Sequence, residues 1–294
     1  MKNIKELRDK MIRDLCSIYP ENESASMVYW LFHSVAGIEK TDFSLEPGRL
    51  LNPEMIQELT GKFSELMVHK PIQYVTGTVY FFGLRLKVDP SVLIPRPETE
   101  ELVKWAADEM KGKSGLRILD IGTGSGCIIL VLGSLLPGSD LTATDISQSA
   151  LGVASQNASL CGTRVEFRIS DILDETAWES HEEYDLIISN PPYVRSSEKG
   201  GMRANVLDFE PPAALFVPDD DPLVFYRAIA GFSQRKLAPG GKLFLEINEN
   251  LGEETVSLIR QFGFTDMVMK KDMQGKDRFI RCCKPKLIGP RTDV

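Results

Sequence analysis

Asn190-Pro191-Pro192-Tyr193 stands directly after the apolar run 184–189 (YDLIIS), which reads as a buried strand of a parallel sheet. Ligands of open α/β sheets bind beyond the carboxyl ends of the strands, so this tetrapeptide is expected at the mouth of a site. Two prolines fix φ near −65° and remove two backbone donors, leaving the Asn190 and Pro191 carbonyls to accept. The Asn190 amide adds a further acceptor, and Tyr193 a flat apolar face with a polar tip. Pro192 completes the rigid turn. Acceptors beside a stacking surface suit a planar –NH2 group whose nitrogen has to be aimed. The bare tetrapeptide also reads as an ordinary Asx-Pro turn closing a strand.

A second cluster lies upstream. Asp120-Ile121-Gly122-Thr123-Gly124-Ser125-Gly126 follows one strand and precedes a helix. Glycines there let the backbone turn tightly and come close to a ligand. A dinucleotide fingerprint, G-x-G-x-x-G, would put its third glycine at position 127. Cys127 stands there instead, and Gly126 comes one step early. The loop therefore fits a compact adenosyl amino acid better than a pyrophosphate. The next strand ends in Asp145, one βα unit on, where a carboxylate can accept both ribose hydroxyls through charge-assisted bonds of ~1.5–3 kcal/mol each. The strand after that leads to Ser170-Asp171-Ile172. Asp171 is placed to accept from an adenine amino group and Ile172 to cover the ring.

These residues need a frame, and the periodicity supplies one. Residues 1–70 read as a small helical bundle. Ile4, Leu7, Met11, Leu15 and Ile18 recur at helical spacing, as do Met27, Trp30, Leu31 and Val35. A third helix starts with Asn52 as cap, Pro53 at the first position and Glu54 in the first turn. From Ile72 the period becomes two, and residues 71–90 are expected to form a β-hairpin turning near Gly83 and bridging to the next domain. The segment 93–100 (LIPRPETE) reads by itself as a proline-rich linker before a helix at about 100–110.

Strands at 116–121, 141–144, 165–169, 184–189, 242–247, 265–269 and 278–283 then alternate with helices at 127–135, 148–160, 226–237 and 253–262. That rhythm predicts an α/β domain over 91–284, a doubly wound, mostly parallel, Rossmann-like sheet of seven strands. The loop 270–277 is too short for a crossover, so the last two strands are expected to pair antiparallel. Residues 285–294 read as a flexible tail.

Composition narrows the partners. With 34 basic and 42 acidic residues the net charge is −8, which argues against a protein living on nucleic-acid phosphates. Five cysteines lack metal-ligand spacing and suit reduced thiols. No metal is expected. The first residues lack the apolar core of a signal peptide, and no run approaches membrane-spanning length, so a soluble, cytoplasmic protein is expected.

With both clusters in view, the chain resembles a class I S-adenosylmethionine-dependent methyltransferase, and more narrowly the bacterial release-factor glutamine methyltransferases. The likeness runs from about Pro71 onward. It is carried by 71–74 (PIQY), 94–100 (IPRPETE), the 120–126 loop, 189–193 (SNPPY), Glu210-Pro211 with Ala214-Leu215, and Gly240-Gly241. Asn-Pro-Pro-Tyr alone is shared with adenine-N6 DNA and guanine-N2 RNA methyltransferases; the 94–100 segment is far more specific.

The resemblance implies methyl transfer from S-adenosyl-L-methionine to the side-chain amide nitrogen of the glutamine in the Gly-Gly-Gln loop of peptide chain release factors. It implies that Gly122, Thr123, Gly124, Ser125, Gly126, Asp145 and Asn190 bind the cofactor. Asn190, Pro191, Pro192 and Tyr193 form the glutamine pocket, with Asn190, Pro191 and Tyr193 acting in the transfer. Some relatives carry an aromatic residue where Ile172 stands, so adenine stacking would give way to aliphatic cover. Two alternatives stay open at this level: a nucleic-acid amino-group methyltransferase using the same pocket for a flipped base, and a cofactor-binding module without catalysis.

Overall fold

The computed structural model describes residues 3–286; residues 1–2 and most of the 285–294 segment expected to be a flexible tail lie outside the described residues. The chain divides into two compact units, Met1–Thr78 with Arg203–Phe209, and Val79–Met202 with Glu210–Val294.

The first unit is helical: α1 (Ile4–Leu15), α2 (Glu21–Ala36), α3 (Asp42–Leu45), α4 (Pro53–Leu66) and α5 (Ile72–Thr76). Asn3 caps α1 by accepting the Glu6 N–H at 2.8 Å, and Asn52 caps α4 by accepting that of Met55 at 2.7 Å. The core takes Ile4, Leu7, Met11 and Leu15 from α1 and Leu59 and Leu66 from α4. From α2 it takes Val28, Leu31 and Phe32, so the sealed face is offset from the expected stripe; Met27, Trp30 and Val35 only flank it. A larger difference falls at Ile72–Thr76, expected as strand and found as a helical turn. Pro71 starts it, its carbonyl accepting the Tyr74 and Val75 N–H groups, and Gly77 ends it at φ 71°. Ile72 and Val75 are buried in the helical core. Their period-two look was the chance reading of a single turn.

The second unit opens with a hairpin of β1 (Thr78–Phe81) and β2 (Leu84–Lys87). Phe82 and Gly83 both have positive φ at its turn, the signature of a two-residue I′ connection. Then come α6 (Pro97–Met110), β3 (Arg117–Ile121), α7 (Cys127–Leu135), β4 (Asp140–Asp145), α8 (Gln148–Cys161), β5 (Glu166–Ile169) and β6 (Tyr184–Ser189). A short β7 (Val194–Arg195) pairs in parallel with β8 (Phe216–Val217); α9 (Ala204–Leu207), between them in sequence, belongs to the first unit. The chain closes with α10 (Val224–Lys236), β9 (Leu237–Glu246), α11 (Gly252–Gln261), β10 (Thr265–Lys271) and β11 (Asp277–Cys283).

Seven strands form the central sheet in the order β10-β11-β9-β6-β3-β4-β5. Six run in the same direction, and β11 alone of the seven runs antiparallel, to both β9 and β10. Alternate strand residues point to opposite faces. Leu119, Ile187, Leu243 and Ile280 pack with Tyr226 and Ile229 of α10 and Ile259 of α11. Phe244 points the other way, its ring edge-on to Trp105 of α6 at 5.2 Å. The chain leaves β3 toward β4 and β5 on one side and returns through β6 and β9 on the other, so the strand order reverses between β3 and β6. The carboxyl ends of those two strands therefore frame a crevice.

Candidate active site

The glycine loop and the Asn190 turn are the continuations of β3 and β6. Ile121 pairs in register with Ser189, and the buried Ser189 hydroxyl donates to the Ile121 carbonyl at 2.7 Å. Gly122 and Asn190 are thus the first residues past adjacent strand tips.

Around the loop the chain is held by its own backbone. The Gly122 and Thr123 N–H groups both reach the Thr144 carbonyl at 2.9 Å. Gly122, Gly124 and Gly126 all have positive φ. At Gly126, φ 82°, a side chain would be strained and crowded as well, since a Cβ there would lie 3.2 Å from the Ala154 Cβ of α8. Asp145 braces the loop from β4: one carboxylate oxygen accepts the Gly124 N–H and the other the Ser147 N–H, both at 2.9 Å. Each sp2 oxygen keeps a second lone pair. Burial raises the Asp145 carboxyl above its ordinary range, against those backbone bonds.

Two residues that sequence reasoning did not assign complete this side. Asn157 of α8, fully buried, donates to the carbonyls of Ser125 and Lys87 at 2.9 Å each and accepts the Lys87 N–H, so it ties loop and hairpin together. Asp120 is fully buried beneath the loop and accepts the Thr123 hydroxyl at 2.6 Å. Burial pushes its carboxyl up to about 7, opposed by that hydroxyl and helped by the Asp145 charge. Asp120 Oδ1 and Ser125 Oγ are buried with no hydrogen-bond partner among the described residues.

Beyond β5, Asp171 spends one oxygen on the Leu173 N–H of its own turn. Ile172 packs against the core, and its carbonyl accepts the Trp178 indole N–H at 3.0 Å. Ile146 and Ile169, at the ends of β4 and β5, are each 61% exposed. Aliphatic side chains left bare at strand tips were the available signal for them.

The Asn190 side is made of side chains instead. Asn190 donates through Nδ2 to the Thr99 hydroxyl at 3.2 Å. Thr99 donates to Glu246 Oε2 at 2.7 Å, and the Tyr193 hydroxyl to Glu246 Oε1 at 3.0 Å. Asn248 donates to the Tyr193 carbonyl at 3.0 Å. Burial raises the Glu246 carboxyl and, with the Glu246 charge beside it, takes the Tyr193 phenol well above its usual range. Tyr193's polar tip is therefore turned inward.

The 94–100 segment is no linker. Arg96 pairs with buried Glu210 at 2.5 Å, and Glu210 also accepts the Ile94 N–H at 3.1 Å. Pro97 starts α6 three residues earlier than expected, which puts Thr99 in its first turn and in reach of Asn190. Glu246 and Thr99 were not singled out as site residues. The signal for Glu246 was a lone carboxylate at the carboxyl end of an apolar strand.

Sheet order, switch point and the paired strand-tip loops define a class I methyltransferase fold. Residues 102–207 match the Methyltransferase small domain family. A solved methyltransferase from Pyrococcus furiosus superposes over 77% of this chain and 99% of its own, at TM-score 0.51 and 18% identity. The chain is 41% identical to the release factor glutamine methyltransferase of Flavobacterium psychrophilum, over 95% of this chain and 98% of that one. It is also 41% identical to that of Bacteroides thetaiotaomicron, over 91% and 95% respectively. It belongs to the release factor glutamine methyltransferase family.

Proposed function

We propose that this protein transfers the methyl group of S-adenosyl-L-methionine to the N5 amide nitrogen of the glutamine in the Gly-Gly-Gln motif of peptide chain release factors, in the cytoplasm where they work. Family membership supports the reaction class and the substrate protein. The observation that carries the chemistry is the Asn190 carboxamide, one residue past β6 and beside Gly122, with its Nδ2 committed to Thr99. Its Oδ1 is then the atom left to accept from an incoming –NH2.

The cofactor half fits an adenosyl amino acid. Asp145 has acceptor capacity for a ribose diol after bracing the loop. Ile146, Ile169 and Ile172 offer aliphatic cover for an adenine, and Asp171 has a second oxygen for its amino group. The unpartnered Asp120 Oδ1 and Ser125 Oγ suit the polar amino-acid end. The bound cofactor supplies a sulfonium methyl carbon with a neutral thioether leaving group.

An amide nitrogen is a poor nucleophile because its lone pair is delocalised into the carbonyl, so the protein's task is alignment. Asn190 Oδ1 and the Pro191 carbonyl accept from the –NH2 and turn its lone pair toward the methyl carbon, with Pro192 and Tyr193 shaping the pocket around the amide. Orientation of this kind contributes up to ~7–11 kcal/mol in favourable cases. The same two acceptors strengthen as positive charge grows on nitrogen, which stabilises the transition state. No side chain is assigned as a base. Mass spectrometry of a release factor incubated with enzyme and cofactor should find one added methyl, on that glutamine. An unmodified release factor, or labelled methyl recovered in nucleic acid, would overturn the proposal.

A further inference from the structure

Glu246 is a carboxylate in an expensive place. It is 1% exposed at the end of β9, and among the described residues no cation forms an ion pair with it. Arg278 of β11, the nearest cationic influence, spends its guanidinium on Asp272 and Glu249. Burying an unpaired charge costs stability. Apolar or amide side chains would fill the same space without that penalty, so the position asks what only a carboxylate supplies there.

The answer lies in hydrogen-bond direction. An ionised carboxylate accepts and never donates. The Thr99 hydroxyl, 2.7 Å away, must therefore give its proton to Glu246, and its oxygen is left to accept. Its other neighbour, the Asn190 carboxamide, must then present Nδ2 to Thr99 and turn Oδ1 outward. The Tyr193 hydroxyl is likewise consumed as a donor.

We infer that Glu246 is the positioning residue that sets the polarity of the site, acting through Thr99 to make Asn190 an acceptor toward the glutamine amide and through Tyr193 to withdraw a competing donor. The inference rests on the functional reading above and deepens it. An Asn190 turned the other way would aim N–H groups at the substrate's own –NH2 and repel it. Discrimination between an amide nitrogen and an acceptor atom is thus set by a residue that touches neither substrate nor cofactor.

Protonation of Glu246 removes the constraint, because a carboxylic acid can donate to Thr99 and let the chain of bonds reverse. Burial raises the carboxyl, which moves this reversal from the ordinary carboxylate range toward neutral pH. The groups facing it are Glu98 from α6, Cys127 from α7, Tyr193, Tyr226 from α10 and Arg278 from β11.

The test is methyl transfer to a release factor at saturating cofactor, followed from acid to neutral pH, for wild type, Glu246→Gln, Thr99→Val and Thr99→Ser. Cofactor affinity is measured in parallel by calorimetry with S-adenosylhomocysteine. Glu246→Gln and Thr99→Val should lower kcat by about 10- to 100-fold with little change in cofactor affinity. Thr99→Ser, which keeps the hydroxyl, should recover most of what Thr99→Val loses. Wild type should lose rate as pH falls, and Glu246→Gln should lack that limb. Turnover of Glu246→Gln within about threefold of wild type, or equal losses in Thr99→Ser and Thr99→Val, would overturn the inference. Should Glu246→Gln also lose cofactor binding, the two Thr99 variants decide alone. A wild type that transfers nothing to release factor overturns the functional reading and the inference together.

Discussion

The two rims of the crevice are built from different materials. On the β3–β4 rim the loop 122–126 is shaped by backbone: positive-φ glycines, two N–H groups on one carbonyl, and a carboxylate that grips N–H groups. On the β6–β9 rim the Asn190 turn is shaped by a relay of side chains through Thr99 and Glu246, drawn from α6, β6 and β9. A ligand whose shape is constant can be cradled by backbone. A reaction that depends on where one lone pair points needs hydrogen bonds of defined direction, and a carboxamide, which can face either way, takes a direction only from the side chains bonded to it.

Substitutions on the two rims should separate binding from turnover. The largest effect is expected for Asn190→Ala, which removes the acceptor proposed to face the substrate amide. A lost buried bond of ~1–3 kcal/mol corresponds to about 5- to 150-fold in rate, with misalignment added. Single-turnover rates should fall by that much while calorimetric cofactor affinity changes far less, and near-normal turnover would take Asn190 out of the mechanism. Asp145→Ala should show the opposite emphasis. Losing charge-assisted bonds of ~1.5–3 kcal/mol should weaken cofactor binding about 10- to 150-fold, with much of the rate restored at high cofactor concentration. Unchanged affinity would refute the ribose assignment.

Smaller effects probe what holds the backbone rim. Gly126→Ala forces an L-residue to φ 82° and a Cβ against Ala154, so chemical denaturation should report a loss of about 1–2 kcal/mol. A pH-dependent signal concerns Asp120, whose carboxyl lies at about 7 in the folded protein. An ordinary aspartate titrates near 3.9, so between about pH 4 and 7 the folded state holds the extra proton. Unfolding free energy therefore declines as pH rises through that window, by up to ~1.4 kcal/mol per pH unit from this group. Asp120→Asn removes the contribution, and its stability relative to wild type should improve from pH 5 to pH 8. A constant difference across that range would mean Asp120 stays ionised.

Strand 184–189 and helix 127–135 could be bounded to the residue from sequence because a mostly apolar run between polar punctuation has one consistent reading. The antiparallel β10–β11 pair followed from a loop too short to cross over. Ile72–Thr76 was misread because five residues hold barely one helical turn, and such a segment displays no period that differs from a strand's. Arg203–Phe209 joining the helical unit left no trace in composition.

Local order along the chain was enough to determine the strand–helix alternation, the glycine loop and the residues carried to the strand tips, since each depends on neighbours a few positions away. Tertiary structure alone decided that Thr99, Asn190, Tyr193 and Glu246 share one network, that Arg96 meets Glu210, and that Asn157 locks the loop to the hairpin. Those partners stand 32 to 147 positions apart. A hydrogen bond has direction as well as partners, and that direction is defined only once the acceptor-only carboxylate is buried where water cannot replace it.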